Sequence, residues 1–377
     1  MTAALRVVGG YHAGSGLSSD QEAAALKFRN WMRDGSPGQI FRLFGPAGCG
    51  KTWIAKTLAN EVRGGPVFCA FTGKAALRMR QNGCTGASTI HRLIYKPVDD
   101  GGDEMAFVWQ EESDAADAGI IVVDECSMVS EDLARDLMRY GKPMLVLGDP
   151  AQLPPVKGAG YLTNAEPDAM LTEVHRQALD NPILRLATQI REGGVLECCD
   201  MGALRIVKRG TLSVEEASQF DQVLCGTHRV RRSYTKQLRK HAGLVGYFPE
   251  SGDRIMSTSN HRKSGLFNGQ VFSVISSRIT AQMVKMRLID VDDDAAEVIE
   301  VMAFQDGFRD PSWKPTPQQY VMFPQFMFAQ VMTVHKAQGS EWKDVLVYDD
   351  CWGSDEDRRR WRYTAITRAS ERLTVVI

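Results

Sequence analysis

The sequence predicts an α/β protein built on parallel β-sheets, and two observations carry this prediction. Strands that alternate with helices form parallel sheets whose two faces are covered, and helical patterns separate most of the apolar runs in the first half of the chain. A glycine-rich loop also joins the first of these runs directly to a helical pattern, as in the strand–loop–helix units of such folds. The apolar runs are residues 41–44, 67–71, 119–123 and 144–147.

Two segments depart from the α/β pattern. Residues 96–118 are acidic and contain a Gly-Gly pair followed by an apolar run, which predicts a small β-hairpin inserted in the first domain. Residues 246–328 alternate apolar and polar positions between turn residues, which predicts a small antiparallel β-barrel inserted in the second domain. The predicted domains are residues 1–170 with the hairpin at about 95–118, residues 171–245 joined with 329–377, and the inserted barrel at 246–328.

Composition is that of an ordinary globular protein. The 377 residues are 44% hydrophobic and 24% charged, which gives room for two or three domains. No apolar run has the length of a membrane span, no signal peptide is evident, and the 8 cysteines are irregularly spaced. We therefore expect a reduced, cytoplasmic compartment. The net charge of −1 argues against a generally basic surface, although 45 Lys and Arg residues leave room for one basic groove.

The segment GPAGCGKT, residues 45–52, predicts a phosphate-binding loop. Gly45, Gly48 and Gly50 permit backbone angles at which successive N–H groups turn toward an anion, and the following helix N-terminus adds partial positive charge. In this pattern Lys51 reaches the β- and γ-phosphates and the Thr52 hydroxyl binds Mg²⁺. The expected ligands are ATP and Mg²⁺.

Two further strand ends carry polar residues suited to nucleotide hydrolysis. Asp124 and Glu125 follow a buried apolar run, where Asp124 would hold Mg²⁺ and Glu125 would orient or deprotonate the attacking water. Gln152 follows another strand-like run, in a position to sense the γ-phosphate. Taken alone, the acidic pair would also suit a helix start, and Gly-Asp-Pro is an ordinary turn.

The chain as a whole resembles superfamily 1 DNA helicases, and within them the RecD/Dda-like branch that moves 5′→3′. The resemblance runs in order from about residue 17 to residue 377. It implies two RecA-like P-loop NTPase domains, with the hairpin inserted in the first and an SH3-like β-barrel inserted in the second. The motifs that carry it are GPAGCGKT, FTGKAA (71–76), STIHRL (88–93), VVDECSM (122–128), GDPAQLPPV (148–156), LTEVHRQ (171–177), TVHKAQGSEW (333–342) and YTAITRA (363–369).

The resemblance also implies roles for individual residues at the nucleotide. Gln21 resembles the glutamine that reads adenine, and Arg176 and Arg368 resemble the arginines that reach the γ-phosphate from the second domain. Such arginines act when the cleft closes, which couples hydrolysis to domain motion. The alternative for both is a surface ion pair. The catalytic set implied is Lys51, Glu125, Gln152, Arg176 and Arg368.

A further set resembles family positions that line a groove for single-stranded DNA. Arg232, Lys236 and Lys240 add a basic stripe along one predicted helix, which is either a DNA contact or a solvated face. Where the family often has asparagine this chain has His228. Trp109 in the predicted hairpin either stacks on an unpaired base or anchors the hairpin. The groove positions are Thr72, Lys74, Thr89, His91, Thr333, His335 and Lys336.

These features predict a monomeric ATP-dependent DNA helicase or translocase that moves 5′→3′ on single-stranded DNA and unwinds duplexes. The alternatives are a DNA-stimulated ATPase that remodels nucleoprotein complexes without unwinding, and a 3′→5′ helicase of superfamily 1. The expected partners are single-stranded DNA, duplex junctions, and a single-strand binding protein or replication proteins. By resemblance the protein would be cytoplasmic and encoded by a bacterium or a phage. No nuclease motif is evident in the sequence.

Overall fold

The computed structural model describes residues 17–99, 105–154, 160–173, 180–259, 261–266, 268–292, 296–310 and 312–377. The chain divides into two compact units. The first holds the residues up to Lys96 together with Trp109–Gly194, and the second holds Pro97–Val108 together with Val195–Ile377. Arg176 and the predicted hairpin tip at 100–104 lie outside the described residues. No helix in the described ranges is both long enough and apolar enough to cross a membrane.

The first unit is organised around a six-stranded sheet. The strands up to residue 170 are β1 (Ile40–Phe44), β2 (Pro66–Ala70), β3 (Ser88–Thr89), β4 (Tyr95–Asp99), β5 (Met105–Trp109), β6 (Ile120–Asp124), β7 (Met144–Gly148) and β8 (Ala169–Met170). The sheet order is β3-β2-β6-β7-β1-β8, and its recorded pairings are parallel. Strands β4 and β5 pair separately as a hairpin, and most of its residues, Pro97–Val108, belong to the second compact unit and not to the first as expected. The α/β class with a parallel sheet is therefore confirmed.

Helices cover both faces of this sheet. Successive residues of a strand point to opposite faces, so each strand supplies apolar side chains to both layers of helices. In β6, Ile120 and Val122 pack into one apolar cluster, whereas Ile121 and Val123 pack into the other, and all four are fully buried. The helices of this unit are α1 (Ser19–Arg33), α2 (Lys51–Asn60), α3 (Gly73–Gln81), α4 (Ile90–Ile94), α5 (Asp114–Asp117), α6 (Glu131–Met138) and α7 (Pro182–Arg191).

The second unit contains a second six-stranded sheet, of order β17-β11-β18-β19-β10-β9. Only the edge pair of β9 with β10 is antiparallel among the recorded pairings. Its helices are α8 (Val214–Ser218), α9 (His228–His241), α10 (Asp306–Arg309), α11 (Pro317–Met322) and α12 (Asp355–Ile366). The unit's strands are β9 (Cys199–Asp200), β10 (Leu204–Val207), β11 (Gln222–Cys225), β12 (Arg254–Ser257), β13 (Val271–Ile279), β14 (Met283–Asp290), β15 (Ile299–Phe304), β16 (Phe326–Phe328), β17 (Val331–Thr333), β18 (Trp342–Tyr348) and β19 (Ala369–Val376).

An antiparallel sheet interrupts the second α/β fold between α9 and β17. Its order is β15-β14-β13-β12-β16, with a register shift between Val274 and Ser276. Its own core includes Phe272, Val284 and Met286, each at most 2% exposed. This sheet therefore has an apolar centre distinct from that of the parallel sheet.

A buried ion pair joins α9 to the entry of the antiparallel sheet. Arg239 donates two hydrogen bonds to the Asp253 carboxylate, at 2.8 and 2.9 Å, and two more to the carbonyl oxygens of Gly246 (2.6 Å) and Phe248 (3.0 Å). The Asp253 side chain is 0% exposed and also accepts from Gln330 Nε2 at 2.7 Å, just before β17. The pair therefore ties together the chain segments that enter and leave the inserted sheet.

The predicted boundary between the α/β domains needs correction. We placed it at residue 171, but the first compact unit extends to Gly194. Leu171 is fully buried in the core of the first unit, and its N–H donates to Phe44 O at 2.8 Å. The Asp20 carboxylate accepts from the N–H groups of Thr172 and Glu173 at 2.6 and 2.9 Å. These contacts hold the connecting segment to the first sheet.

Candidate functional site

The glycine loop between β1 and α2 has the backbone that an anion cradle requires. Gly48 and Gly50 adopt positive φ angles of 81° and 79°, which other residues rarely do. A Cβ atom at Gly45 would lie only 2.8 Å from Leu171 O, so the loop's close approach to this carbonyl also demands glycine. The positions predicted from the motif are thus the ones that the geometry restricts.

Lys51 spans this loop through its side chain. Its Nζ atom donates to the carbonyl oxygens of Gly45 at 2.7 Å and Pro46 at 2.8 Å. Both acceptors are neutral. Phosphate oxygens form stronger, charge-assisted bonds with an ammonium group, so the lysine is placed to exchange loop carbonyls for a polyphosphate.

Thr52 and Asp124 meet beside the loop. Thr52 Oγ1 donates to Asp124 Oδ2 at 3.0 Å, and Asp124 Oδ1 accepts the Glu125 N–H at 2.8 Å. Burial raises the pKa of Asp124, and the neighbouring Glu125 charge raises it further. A carboxylate in this environment is stabilised by a cation, and Mg²⁺ characteristically takes one or two protein oxygens with the remainder from phosphate and water. The described residues contain no cluster of three or more acidic, His or Cys side chains suited to a metal.

Glu125 stands in a strained backbone conformation. Its φ of 52° puts it in the left-handed region, which costs a non-glycine residue about 1–3 kcal/mol. The turn directs the chain away from β6 immediately after Asp124. Strain of this kind persists where the surroundings impose it, and it occurs often at active sites.

Gln152 provides an unsatisfied acceptor. Its side chain is 7% exposed, and among the described residues its Oε1 atom has no hydrogen-bond partner. Its Nε2 atom lies 3.5 Å from Asp149 Oδ2, which follows the end of β7. A buried amide oxygen without a partner is costly unless water or a ligand satisfies it. Together with Lys51 and the Thr52–Asp124 pair, it fits a nucleotide with Mg²⁺.

Gln21, predicted to read adenine, is fully buried at the first turn of α1. Its Oε1 atom accepts from Ser18 N at 3.2 Å and its Nε2 atom donates to Cys49 O at 3.1 Å. The amide thus ties α1 to the phosphate loop. Adenine recognition by Gln21 stays a prediction.

Arg368 is 4% exposed, between α12 and β19 in the second unit. Its guanidinium donates to Thr364 O (3.0 Å), Ser340 O (3.0 Å) and Thr367 Oγ1 (3.2 Å). These bonds fix the guanidinium within the second unit, and contact with a γ-phosphate stays a prediction. Arg176 lies outside the described residues.

The groove positions of the first unit lie at one edge of its sheet. Thr72 begins α3 after β2, Thr89 begins α4 after β3, and β2 pairs with β3 in parallel. Each hydroxyl oxygen accepts a helix N–H, from Ala75 at 3.1 Å and Arg92 at 3.2 Å. Lys74 lies in the first turn of α3. Because carboxyl ends of parallel strands share an edge, the structure brings these residues together.

His91 lies in α4 between two aromatic rings. Its ring centroid is 6.1 Å from Phe71 and 5.9 Å from Tyr95. Burial lowers the pKa of His91 to about 4. The imidazole is therefore neutral at physiological pH, so any contact with DNA would be a neutral hydrogen bond.

The corresponding edge of the second unit is basic. Strands β11 and β17 are parallel neighbours, with Cys225 paired to Thr333. His335 and Lys336 follow β17, and burial lowers the pKa of each. Lys336 Nζ donates to Asn268 Oδ1 at 3.0 Å. Among the predicted residues, Thr333 thus ends β17, and His335 and Lys336 follow it. Strand β17 lies beside β11, which leads into α9.

His228 begins α9 and joins this basic edge. Burial lowers the pKa of His228, as do the positive charges of Arg231, Arg232, Lys336 and His335. Arg232 is exposed, as the predicted stripe requires. The resemblance puts a DNA contact by His228 in doubt, because the family often has asparagine at this position. The structure nevertheless places it among the predicted groove residues.

The sequence left two roles open for Trp109, stacking on an unpaired base or anchoring the hairpin, and the structure shows its contacts within the protein. Its Nε1–H donates to Asp136 O at 3.1 Å, and its ring centroid lies 4.9 Å from that of Tyr140. The Arg139 guanidinium stands 3.9 Å from the Trp109 ring centroid. The polar atom and the ring therefore already have partners within the first unit. These contacts favour the alternative in which Trp109 anchors the hairpin, and stacking on DNA stays a prediction.

Models of two known protein families match the N-terminal half and the C-terminal end of the chain. A model described as an AAA domain matches residues 16–209, just over half of the chain. A model described as a UvrD-like helicase C-terminal domain matches residues 328–376. The first match contains the phosphate loop, Asp124 and Gln152, and the second contains Thr333 and Arg368.

Similar proteins include a curated helicase and solved helicase structures. The ATP-dependent RecD2 DNA helicase of Deinococcus radiodurans is 28% identical over 378 residues, covering 88% of this chain and 46% of the relative. The chain thus spans about half the length of that relative. A structure of two coordinating Pif1 helicases at forked double-stranded DNA has a TM-score of 0.52 and 17% identity, covering 96% of this chain and 92% of that one. Bacteroides Pif1 bound to single-stranded DNA has a TM-score of 0.51 and 16% identity, with the same coverage. These structures show a shared fold.

The parallel sheets, the glycine cradle and the Thr52–Asp124 pair define a phosphate-loop NTPase. The chain belongs to the AAA domain family. Its C-terminal part matches a UvrD-like helicase model, the chain is similar to the RecD2 helicase, and it shares the fold of the Pif1 structures.

Proposed function

We propose that the protein is an ATP-dependent DNA helicase or translocase that moves 5′→3′ along single-stranded DNA and unwinds duplexes. The observation that carries this proposal is the set of groups at one edge of the first sheet. Lys51 closes the glycine loop, Thr52 is bonded to Asp124 at 3.0 Å, and Gln152 Oε1 is a buried acceptor without a partner in the described structure. The helicase names of the relatives and the family motifs supply the substrate class.

In this proposal ATP exchanges with the internal contacts of the loop. Lys51 leaves the carbonyl oxygens of Gly45 and Pro46 for the β- and γ-phosphates. When bound, Mg²⁺ held by Thr52 and Asp124 neutralises charge on the phosphates. Glu125 orients the attacking water and accepts its proton. It directly follows Asp124, and its backbone has a positive φ angle.

Gln152 would transmit the state of the nucleotide. Its Oε1 atom accepts from the attacking water or an ordered water beside the γ-phosphate, which removes the cost of an unsatisfied buried oxygen. By resemblance, Arg176 and Arg368 stabilise the transferring phosphoryl group. Arg368 would exchange carbonyl acceptors for phosphate oxygens as it does so, and that exchange would link hydrolysis to conformation.

DNA binding would use phosphate contacts from both α/β units. Thr72, Lys74, Thr89 and His91 supply hydroxyl, ammonium and neutral imidazole groups from the first unit. The second unit supplies a basic set, which we propose to contact phosphates: Arg232, Thr333, His335 and Lys336. Contacts of this kind carry no sequence information and weaken with salt. By resemblance we assign the antiparallel sheet as an SH3-like barrel that supports the tracking strand, and the β4–β5 hairpin as the element that separates the strands.

The broader setting rests on the resemblance. We propose a cytoplasmic monomer of bacterial or phage origin that acts at duplex junctions, with a single-strand binding protein or replication proteins as partners. No cleavage of DNA is expected, because the sequence contains no evident nuclease motif. ATP-dependent strand scission by the purified protein would contradict this.

DNA-stimulated ATP hydrolysis tests the nucleotide half of the proposal. Lys51→Ala should abolish hydrolysis, because the loop loses the cation that binds the β- and γ-phosphates. Lys56→Ala is the matched control, since Lys56 lies on the same helix but donates to Asn82 O at 3.0 Å. The control should retain hydrolysis within about twofold of the unmodified protein, as expected for a surface substitution. Equal hydrolysis by both variants would refute the assignment of the loop.

A further inference from the structure

The largest exposed aromatic side chain next to the phosphate loop is Trp53. It is 49% exposed, whereas Ile54 and Leu58 on the opposite face of α2 are 0% and 1% exposed. Thr57 and Asn60, one and two turns later, are exposed on the same side as Trp53. An indole left half in water at the first turn of a helix gives only about half of its area to the stability of the fold.

Trp53 also occupies a defined place relative to the bound phosphates. The first N–H of α2 with a helical acceptor is that of Ile54, which donates to Gly50 O at 3.0 Å. The amides of Lys51, Thr52 and Trp53 precede it, and such N-terminal amides are the donors that hold phosphates. Lys51 and Thr52 serve the β- and γ-phosphate end. The α-phosphate and its nucleoside therefore lie toward Trp53.

A second observation concerns the base. Gln21, the residue that the resemblance assigns to adenine, is 0% exposed. Both ends of its amide are bonded, to Ser18 N at 3.2 Å and Cys49 O at 3.1 Å. The Gln21 amide is thus engaged in holding α1 to the loop, and the exposed indole of Trp53 offers an apolar surface for the base at the exit of the loop.

We propose that Trp53 is the stacking platform for the nucleobase of the nucleotide bound by residues 45–52. This inference rests on the nucleotide binding proposed above and adds the group that recognises the base. The indole ring contributes to affinity through its π-face, so it acts on any base and not on the phosphates. Loss of one base–aromatic stack weakens binding by about 5- to 150-fold.

Calorimetric titration of the full chain with Mg²⁺ present tests this inference, using ADP, GDP and tripolyphosphate as probes. Trp53→Ala should weaken ADP and GDP by the same factor, within the range of about 5- to 150-fold, and leave tripolyphosphate unchanged. Trp53→Phe should retain most of the affinity because it keeps an aromatic face. Thr57→Ala is the matched control on the same exposed face and should bind all three probes like the unmodified protein.

Four results would overturn the inference. Unchanged ADP affinity in Trp53→Ala, with binding still lost in Lys51→Ala, would remove the stacking role and leave the proposed function intact. Equal weakening of ADP and tripolyphosphate would show that Trp53 acts on the loop and not on the base. Weakening confined to ADP would indicate hydrogen-bonded reading of adenine. Undiminished binding in Lys51→Ala would instead refute the nucleotide site itself, and the inference with it.

Discussion

Removal of the buried charge at Asp253 should loosen the inserted antiparallel sheet. Asp253 is fully buried and its carboxylate accepts two bonds from Arg239, at 2.8 and 2.9 Å. It also accepts from Glu250 N at 2.8 Å and from Gln330 Nε2 at 2.7 Å. Asp253→Asn keeps the size of the side chain but removes the charge and half of the acceptors. The Arg239 guanidinium, 8% exposed, then loses its buried counterion and keeps only the Glu250 carboxylate, which lies at 3.7 Å and is 44% exposed.

The structure sets the size of this effect. Removing one partner of a buried, hydrogen-bonded ion pair costs about 3–5 kcal/mol, because the remaining charge is left in a poorly solvated position. In other proteins, replacement of both partners of a buried ion pair by apolar residues often leaves the stability unchanged. Here the Arg239→Met, Asp253→Leu double variant should recover only part of the loss. The carbonyl oxygens of Gly246 and Phe248 would lose their donor, and an unsatisfied buried group costs about 1–3 kcal/mol.

Native-state hydrogen exchange is the suitable assay, because it reports the free energy of local opening segment by segment. Amides of β12 and β13 in Asp253→Asn should lose more than about a hundredfold in protection, as 3 kcal/mol or more requires. Lys285→Ala is the control within the same sheet. It removes an ion pair with Glu300 whose side chains are 51% and 54% exposed, and such pairs contribute about 1 kcal/mol or less. Protection in Asp253→Asn equal to that of the control would refute the reasoning.

Three further predictions concern the first unit. Burial lowers the pKa of His91 to about 4, so its neutral form stabilises the fold above pH 6.5 and that stabilisation is lost as pH falls toward 4. His91→Gln should therefore reduce the fall in the free energy of unfolding between pH 7 and pH 4, measured with urea, by at most about 3 kcal/mol. An unchanged pH dependence would contradict this prediction. Trp109→Ala should lower unfolding stability by about 2–3 kcal/mol through the lost anchor, with DNA affinity of the folded protein unchanged in a filter-binding assay. Selective loss of DNA affinity would favour the stacking role instead. Burial opposes ionisation of Asp20, but hydrogen bonds from Glu173, Ser18 and Thr172 outweigh it and lower the pKa. Asp20→Asn should cost about 1 kcal/mol at pH 7, and the difference should vanish as pH falls below 4; a pH-independent difference would argue against the charge.

The parallel sheet was predictable because its strands are almost wholly apolar. Residues 119–123 were expected and Ile120–Asp124 is observed; residues 144–147 were expected and Met144–Gly148 is observed. A strand buried on both faces must be apolar at every position, so the sequence marks it without reference to distant partners. The phosphate loop was predictable for a similar reason, since its glycines and Lys51 act within one local segment.

The features that were missed depend on contacts between distant residues. Arg239 belongs to the same basic segment as Arg232 and Lys240, yet only Arg239 is buried, because Asp253 and two carbonyl oxygens meet it. The boundary near residue 171 was misplaced because Leu171 completes the core around β1. Helical periodicity describes one element at a time, so it does not register such partners.

Unwinding of three matched duplexes, with a 5′ tail, a 3′ tail or blunt ends, tests the central claim most directly. The account predicts ATP-dependent unwinding of the 5′-tailed duplex alone, with no unwinding by Lys51→Ala. DNA-stimulated hydrolysis without strand separation would indicate a translocase or a remodelling ATPase. Unwinding that begins from the 3′ tail would contradict the proposed direction and the assignment to the 5′→3′ branch.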